Sequence, residues 1–334
     1  MPETIKNMTQ KTNKAIANWL YFTAFMVFAM AIIGAITRLT ESGLSMVEWQ
    51  PITGTIPPLN EAQWQEEFNL YRASPEYQKK NFGMSLDEFK NIFFWEWFHR
   101  VWGRLIGLVY AVPFSYFLLT KKIPKGFKIK LFIGLLLGGC QGLMGWYMVQ
   151  SGLIDRPSVS HFRLAAHLSL AALIFCYLLW LAFDLNGNKS DNLSFCIKRH
   201  GWIAFGFTFV TVVWGAFVAG LDAGLVYNTW PLMGDKLIPH ELNSISSILF
   251  EPVSVQFTHR WIAIVTAVIV LSFAWRIKSK ALAGMMALQV ILGITTLLSM
   301  VAIPLAAAHQ AGAFILLGLL VYWLHRLRRG THAV

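Results

Sequence analysis

The sequence is short of charge. Only 13% of its 334 residues are Asp, Glu, Lys or Arg, about half the share in an average soluble domain. That excludes a disordered chain, a coiled coil and a nucleic-acid-binding domain, and it argues against a soluble enzyme. Negative charge is the scarcer sign: 17 acids face 28 Lys and Arg, for a net charge of +11. Cysteine is scarce too, with three in the chain. Three cannot make a disulfide framework in a chain of this size. Cys140 and Cys176 lie in apolar runs and Cys196 in a short basic loop, so all three read as small apolar fillers with no redox role.

What is abundant is apolar. Hydrophobic residues make up 56%, with 25 Phe and 14 Trp, as expected where aromatic belts mark two membrane interfaces. A spanning helix needs about 20 apolar residues. Eight segments qualify: Ala17–Ile36, Phe98–Leu119, Ile129–Val149, Leu164–Phe183, Trp202–Leu221, Phe257–Trp275, Ala281–Val301 and Leu305–Leu324. The runs are long and do not alternate, so they predict helices rather than strands.

Lys and Arg set the orientation. The N-terminal tail and the connections Lys121 to Lys130, Lys189 to Arg199, Arg276 to Lys280 and Arg326 to Arg329 hold 17 of the 28 basic residues, with Glu3, Asp184 and Asp191 as their only acids. The opposite side holds 11 basic and 14 acidic residues. The first side is therefore expected to be cytoplasmic, with both termini on it. The positive charge is mostly this bias, and nucleic acid is not an expected partner. The first apolar run is long enough to span and no cleavage site follows it; the tail contains Glu3 and no Arg. Neither a cleaved signal nor a transit peptide is expected, and a bacterial inner membrane fits best. The outer side has two long connections, Arg38–Trp97 and Asp222–Gln256. The first carries Trp64, Tyr71, Tyr77 and a Leu86–Phe94 stretch that reads as a short amphipathic helix, a cap in solvent or on the membrane surface.

The chain repeats itself. Gly34-Ala35, Glu41-Ser42-Gly43-Leu44 and Trp49-Gln50-Pro51 reappear as Gly215-Ala216, Asp222-Ala223-Gly224-Leu225 and Trp230-Pro231, at an offset of 181 residues from Gly34 through Trp49. Phe98-His99-Arg100 is matched by Thr258-His259-Arg260, and Leu164-Ala165-Ala166-His167 by Ala306-Ala307-Ala308-His309. The expected fold is all-α and integral to the membrane: eight transmembrane helices as two parallel four-helix repeats, residues 1–185 and 186–334, with a pseudo-two-fold axis along the membrane normal.

Ionisable residues inside a membrane are costly and point to function. His99, His167, His259 and His309 fall in the outer third of their segments, two per half. Two His from facing helices, with no added Cys or carboxylate, suit the axial positions of a haem; zinc wants three or four ligands. Small residues beside them leave room for a flat ring: Gly103, Gly107, Ala165, Ala166, Ala306 to Ala308, Ala311 and Gly312. The same residues also allow close helix packing. Haem propionates need cations, and Arg38, Arg100, Arg104, Arg163 and Arg260 cluster at the outer ends. Some of these serve equally well as interfacial anchors. His161, His200, His240, His325 and His332 lack repeat partners and read as interfacial or loop residues. Glu96 stands three residues before His99 on the same helical face, but its counterpart is Gln256. One half is thus expected to be a reaction site and the other a cofactor site, although Glu96 also reads as an interfacial carboxylate paired with Arg100. Glu41 and Asp222 form a second acidic pair, in a Gly-containing turn, and read as structural.

The runs Arg38-Leu39-Thr40-Glu41-Ser42-Gly43-Leu44-Ser45-Met46, Glu96-Trp97-Phe98-His99-Arg100-Val101-Trp102-Gly103-Arg104 and Leu164-Ala165-Ala166-His167 resemble the haem A synthase family. The resemblance extends from about Trp19 to Leu324. It is closest to the proteobacterial and mitochondrial branch: Gram-positive relatives carry a cysteine pair in an outer loop, and neither outer loop here contains Cys. It implies oxidation of the C8 methyl of haem O to a formyl group by successive hydroxylations, through a gem-diol that dehydrates. The product, haem A, goes to cytochrome oxidase. It further implies that His259 and His309 hold a haem b cofactor, that His99 and His167 face the substrate haem, and that Glu96 is the catalytic carboxylate. Haem O synthase is the partner the resemblance implies, with molecular oxygen and an electron donor the sequence does not name; the apolar faces meet lipid or a further copy of the chain. Two other readings remain open at this point. A di-haem quinone oxidoreductase explains the four His but leaves Glu96 without a use. A haem transporter predicts one shared midplane site, which the outer His positions count against.

Overall fold

In a computed structural model the chain is described over residues 3–48, 53–153, 158–187, 194–240, 242 and 245–328. These residues form ten α-helices: α1 Glu3–Leu39, α2 Glu61–Arg72, α3 Pro75–Lys79, α4 Leu86–Leu119, α5 Lys128–Leu153, α6 His161–Leu185, α7 Phe195–Gly220, α8 Pro252–Arg276, α9 Lys280–Leu298 and α10 Ile303–Arg326. Eight of them, α1 and α4 to α10, are long and apolar enough to cross a membrane. They correspond one to one with the eight predicted segments. Trp49, Gln50, Pro51, Lys189, Asp191, Arg329 and His332 lie outside the described residues.

The predicted amphipathic stretch Leu86–Phe94 is not a separate helix. It runs without a break into the second span, because no Gly or Pro stands between Leu86 and His99. Ser85 starts this rod with a capping box closed by Glu88. At 34 residues and 1.5 Å per residue, α4 is about 50 Å long, well beyond the roughly 30 Å hydrocarbon layer. Its outer turns therefore stand clear of the lipid and carry the cap. There Phe68, Tyr71, Tyr77, Phe89 and Phe93 bury one another together with Met46. Asn60 caps α2 and Ser74 caps α3.

Each set of four consecutive spans closes into a ring of neighbours. In the first, α1 meets α4, α4 meets α5, α5 meets α6 and α6 returns to α1. In the second, α7, α8, α9 and α10 follow the same order. The rings join through α1, α6, α7 and α10. Phe175 and Phe314 lie 5.5 Å apart at this seam, Phe314 and Leu317 are fully buried, and Gln310 donates to the Ala31 carbonyl at 2.5 Å. The outer faces stay apolar and uncovered, as at Leu143, Phe132 and Val268. Cys176 is buried in the first ring, while Cys140 and Cys196 are exposed.

Candidate haem sites

Each ring brings one pair of the predicted histidines together. His99 on α4 and His167 on α6 are close enough to interact electrostatically, as are His259 on α8 and His309 on α10. A glycine from the neighbouring helix faces each ring. A Cβ on Gly34 would come within 3.2 Å of His99 Cε1, and one on Gly145 within 3.1 Å of His167 Cε1. In the second ring Gly215 stands 3.4 Å from His259 and Gly293 stands 2.9 Å from His309 by the same measure. The fit is tightest at Gly293, where a side chain would force the imidazole to shift, and loosest at Gly215. Of the small residues expected to serve the rings, Gly107 faces open space and Gly312 lies against Gln289 instead. The glycines that cradle the imidazoles come from α1, α5, α7 and α9.

The second members of the two pairs are held alike. Gln141 reaches His167 Nδ1 at 3.2 Å and donates to its carbonyl at 3.1 Å. Gln289 does the same to His309, at 3.2 and 2.9 Å. The first members, His99 and His259, have a buried Nδ1 with no hydrogen-bond partner. Buried polar nitrogens are rarely left so. Two buried imidazoles from different helices, one of each pair with an unmet Nδ1, fit axial ligation of a haem in each ring. No cluster of three or more His, Cys, Asp or Glu suited to a metal ion is found among the described residues.

At the outer ends the two halves share a frame. Arg100 donates to the carbonyls of Met46 at 2.9 Å and Glu48 at 3.2 Å. Arg260 donates to those of Tyr227 at 2.8 Å and Thr229 at 3.0 Å. Met46 and Tyr227 are separated by the 181-residue offset of the repeat, and so are Glu48 and Thr229. Arg104 bonds Gly54 O. Arg163 bonds Tyr147 O at 2.7 Å and stacks over that ring. Arg38 crosses between the rings to Ala219 O and Asp222, both at 2.7 Å. Every one of the five predicted arginines therefore ties a loop or a neighbouring helix to the outer end of the bundle.

Within this shared frame the buried position three residues before each first histidine carries a charge in one half only. Glu96 is buried, with 3% of its surface exposed. Its Oε1 takes a 2.6 Å ion pair from Arg100, and its Oε2 accepts from Ser45 Oγ and Met46 N, both at 2.7 Å. Gln256 is equally buried; it donates to Tyr227 O at 3.0 Å and leaves Oε1 unpaired. So Glu96 is a buried, fully bonded carboxylate one helical turn from His99, paired with Arg100 as the sequence also allowed. Glu41 and Asp222 are surface residues at left-handed turn positions, φ 52° and 50°, and pair with Lys80 and Arg38.

A family model described as cytochrome oxidase assembly protein (COX15-CtaA) matches residues 17–321. Curated relatives match almost end to end. A heme A synthase of Rhodospirillum centenum is 52% identical, over 94% of this chain and 89% of its own length. One from Parvibaculum lavamentivorans is 47% identical, over 96% of both chains. One from Nitrosospira multiformis is 46% identical, over 95% and 94%. The chain belongs to the haem A synthase family. This family chain holds two residues that sequence reasoning missed, Gln141 and Gln289. Their signal was present as Gln-x-x-x-Gly, at Gln141/Gly145 and Gln289/Gly293, a spacing that puts both residues on one helical face. Expected as an interfacial residue, His325 is instead fully buried in the last turn of α10. It bonds Asp184 at 3.0 Å, and Arg328 pairs with the same carboxylate.

Proposed function

We propose that this chain is a haem A synthase, which oxidises the C8 methyl of haem O to the formyl group of haem A by successive hydroxylations. One observation carries the reading furthest: two matched histidine pairs in matched frames, with a buried carboxylate beside only one of them. A protein that merely passes electrons has no use for that difference.

In this reading residues 1–185 form the substrate half and residues 186–334 the cofactor half, parallel repeats about an axis along the membrane normal. His259 and His309 would hold haem b, which would supply electron transfer. His99 and His167 would face haem O, the substrate, with one of them held loosely enough to yield to oxygen. Each hydroxylation puts one atom of O2 into a C–H bond and reduces the other to water, with two electrons and two protons. Glu96 moves protons there or stabilises positive charge developing at the reacting carbon. Arg38, Arg100, Arg104, Arg163 and Arg260 supply cations for the propionates, by exchanging bonds they now make to backbone carbonyls, while Arg100 keeps its ion pair with Glu96. The basic bias of one side places both termini in the cytoplasm of a bacterial cell and both haem sites toward the outer face of its inner membrane. Haem O synthase supplies the substrate, a separate donor supplies the electrons, and the uncovered apolar faces meet lipid or a second copy.

Pigment extraction from the protein, purified after co-expression with haem O synthase, tests the reading. Haem b together with haem O or haem A is expected. Haem b alone in a turnover-competent membrane would favour a di-haem electron carrier. Glu96→Gln is expected to keep both pigments bound and lower haem A formation about 100-fold or more; unchanged turnover would remove Glu96 from the mechanism.

A further inference from the structure

The turn that follows α1 is built twice, and the two copies differ in a way the fold does not require. In the first, Thr40 N bonds Ile36 O, Glu41 N bonds Arg38 O and Ser45 N bonds Ser42 O, at 2.9, 3.2 and 3.3 Å. In the second, Leu221 N bonds Phe217 O, Asp222 N bonds Ala219 O and Val226 N bonds Ala223 O, at 3.0, 3.4 and 3.4 Å. Both copies place an acidic residue in the left-handed region. The two turns share these three bonds; the first adds Ser42 N to Thr37 O, the second winds into a 3-10 turn over Ala223–Leu225, and their side chains differ further. Thr40, Ser42 and Ser45 stand where the second copy has Leu221, Ala223 and Val226.

The second copy shows that the three shared bonds form without a hydroxyl at the matching positions. The hydroxyls of the first therefore serve something else. Thr40 Oγ1 and Ser42 Oγ lie 2.6 Å apart. Ser45 Oγ lies 3.0 Å from Ser42 O and 2.7 Å from Glu96 Oε2. Ser42 and Ser45 are fully buried. A hydroxyl has one proton to give, and the shorter contact, to a carboxylate, is the stronger use of it. Where the carboxylate is replaced by Gln256, the hydroxyl is replaced by Val226. Hydroxyl and carboxylate are present together in one half and missing together in the other.

We infer that Ser45 is a positioning residue for the reaction: its hydroxyl fixes Oε2 of Glu96 at the substrate haem, with Met46 N as the second donor and Arg100 holding Oε1. Ser45 touches no reacting atom; it acts through Glu96, and the inference rests on the role proposed for that carboxylate. Losing one of two donors leaves Oε2 free to rotate off its line, while the buried charge keeps Arg100 and Met46 N.

A double-mutant cycle tests this, read by turnover, bound pigment and melting temperature of the intact membrane protein. Ser45→Ala is expected to lower turnover about tenfold, the weight of one hydrogen bond to a charged acceptor. Haem content and melting temperature should stay close to those of the parent, and Ser45→Thr should restore most of the rate. In a Glu96→Gln background the same Ser45→Ala change should cost almost nothing further. Turnover and bound haem lost together in Ser45→Ala would mean a structural role and overturn the inference. So would an equal loss from Ser45→Ala with and without Glu96. If Glu96→Gln loses turnover but Ser45→Ala does not, only the Ser45 inference fails. If Glu96→Gln keeps full turnover, the proposed role of the carboxylate fails first.

Discussion

A buried imidazole is only as well placed as the atoms around it. His309 is bonded by Gln289 on one side and pressed by Gly293 on the other, where a Cβ would stand 2.9 Å from its ring. Two substitutions should therefore act alike. His309→Ala removes a proposed ligand, and Gly293→Leu displaces it. Both are expected to strip haem b from the purified protein, seen as loss of its Soret band, while Glu96→Gln retains it. The sequence disclosed the four histidines because a titratable group deep in an apolar run stands out against its neighbours. It did not disclose the glutamines that hold two of them. A polar amide is no anomaly in a helix, and its direction is set by packing between helices.

Among the elements, the cap has a weakness that pH should expose. Glu76 on α3 is buried, at 4% exposure, and bonds Tyr71 at 3.1 Å. Burial pushes its carboxyl up to about 7 from an ordinary 4.5, assisted by the charges of Glu96 and Glu41 and opposed by Tyr71 and Lys80. A value raised on folding means that the protonated form stabilises the cap. That contribution is complete below about 4.5 and is lost as pH rises through about 7. Protection of the α2 and α3 amides, taken relative to the base-catalysed intrinsic exchange rate, should therefore fall between pH 6 and pH 8, and Glu76→Gln should flatten that fall. Protection that does not change over this range would show Glu76 to be solvated. The eight spans were legible in the sequence because length and apolarity alone define them. The continuity of α4 was not. Polarity changes near Phe94, but a helix continues until a Gly, a Pro or a cap stops it, and none stands there.

Across the whole molecule, the rings are joined by packing at the seam and by Asp184 of the first ring, which bonds His325 and pairs with Arg328 of the second. Arg38 and Asp222 also cross it, but Asp222 is half exposed, and such pairs contribute about 0–1 kcal/mol. Phe314 at 0% exposure, against Phe175, matters more. Phe314→Ala is expected to cost about 2 kcal/mol, less than the ~3–5 kcal/mol of a soluble core, because lipid tails are as apolar as the space left behind. Thermal melting in detergent micelles measures this; an unchanged melt would mean that the halves are held elsewhere. The repeat itself was readable from spaced residue pairs such as His99-Arg100 and His259-Arg260. Which helices form the seam was not, since every span is apolar on all sides.

The doubled turn has a further consequence for anyone who alters the protein. Each position in the first copy has a partner in the second at the same offset, and three backbone bonds are common to both, so the chain carries its own internal comparison. A substitution that acts through general folding should do comparable harm in either copy. One that acts through chemistry should be felt in the first and tolerated in the second. Swapping Ser45 and Val226, or Glu96 and Gln256, would ask how much of the reaction travels with two side chains and how much stays with the half that received them.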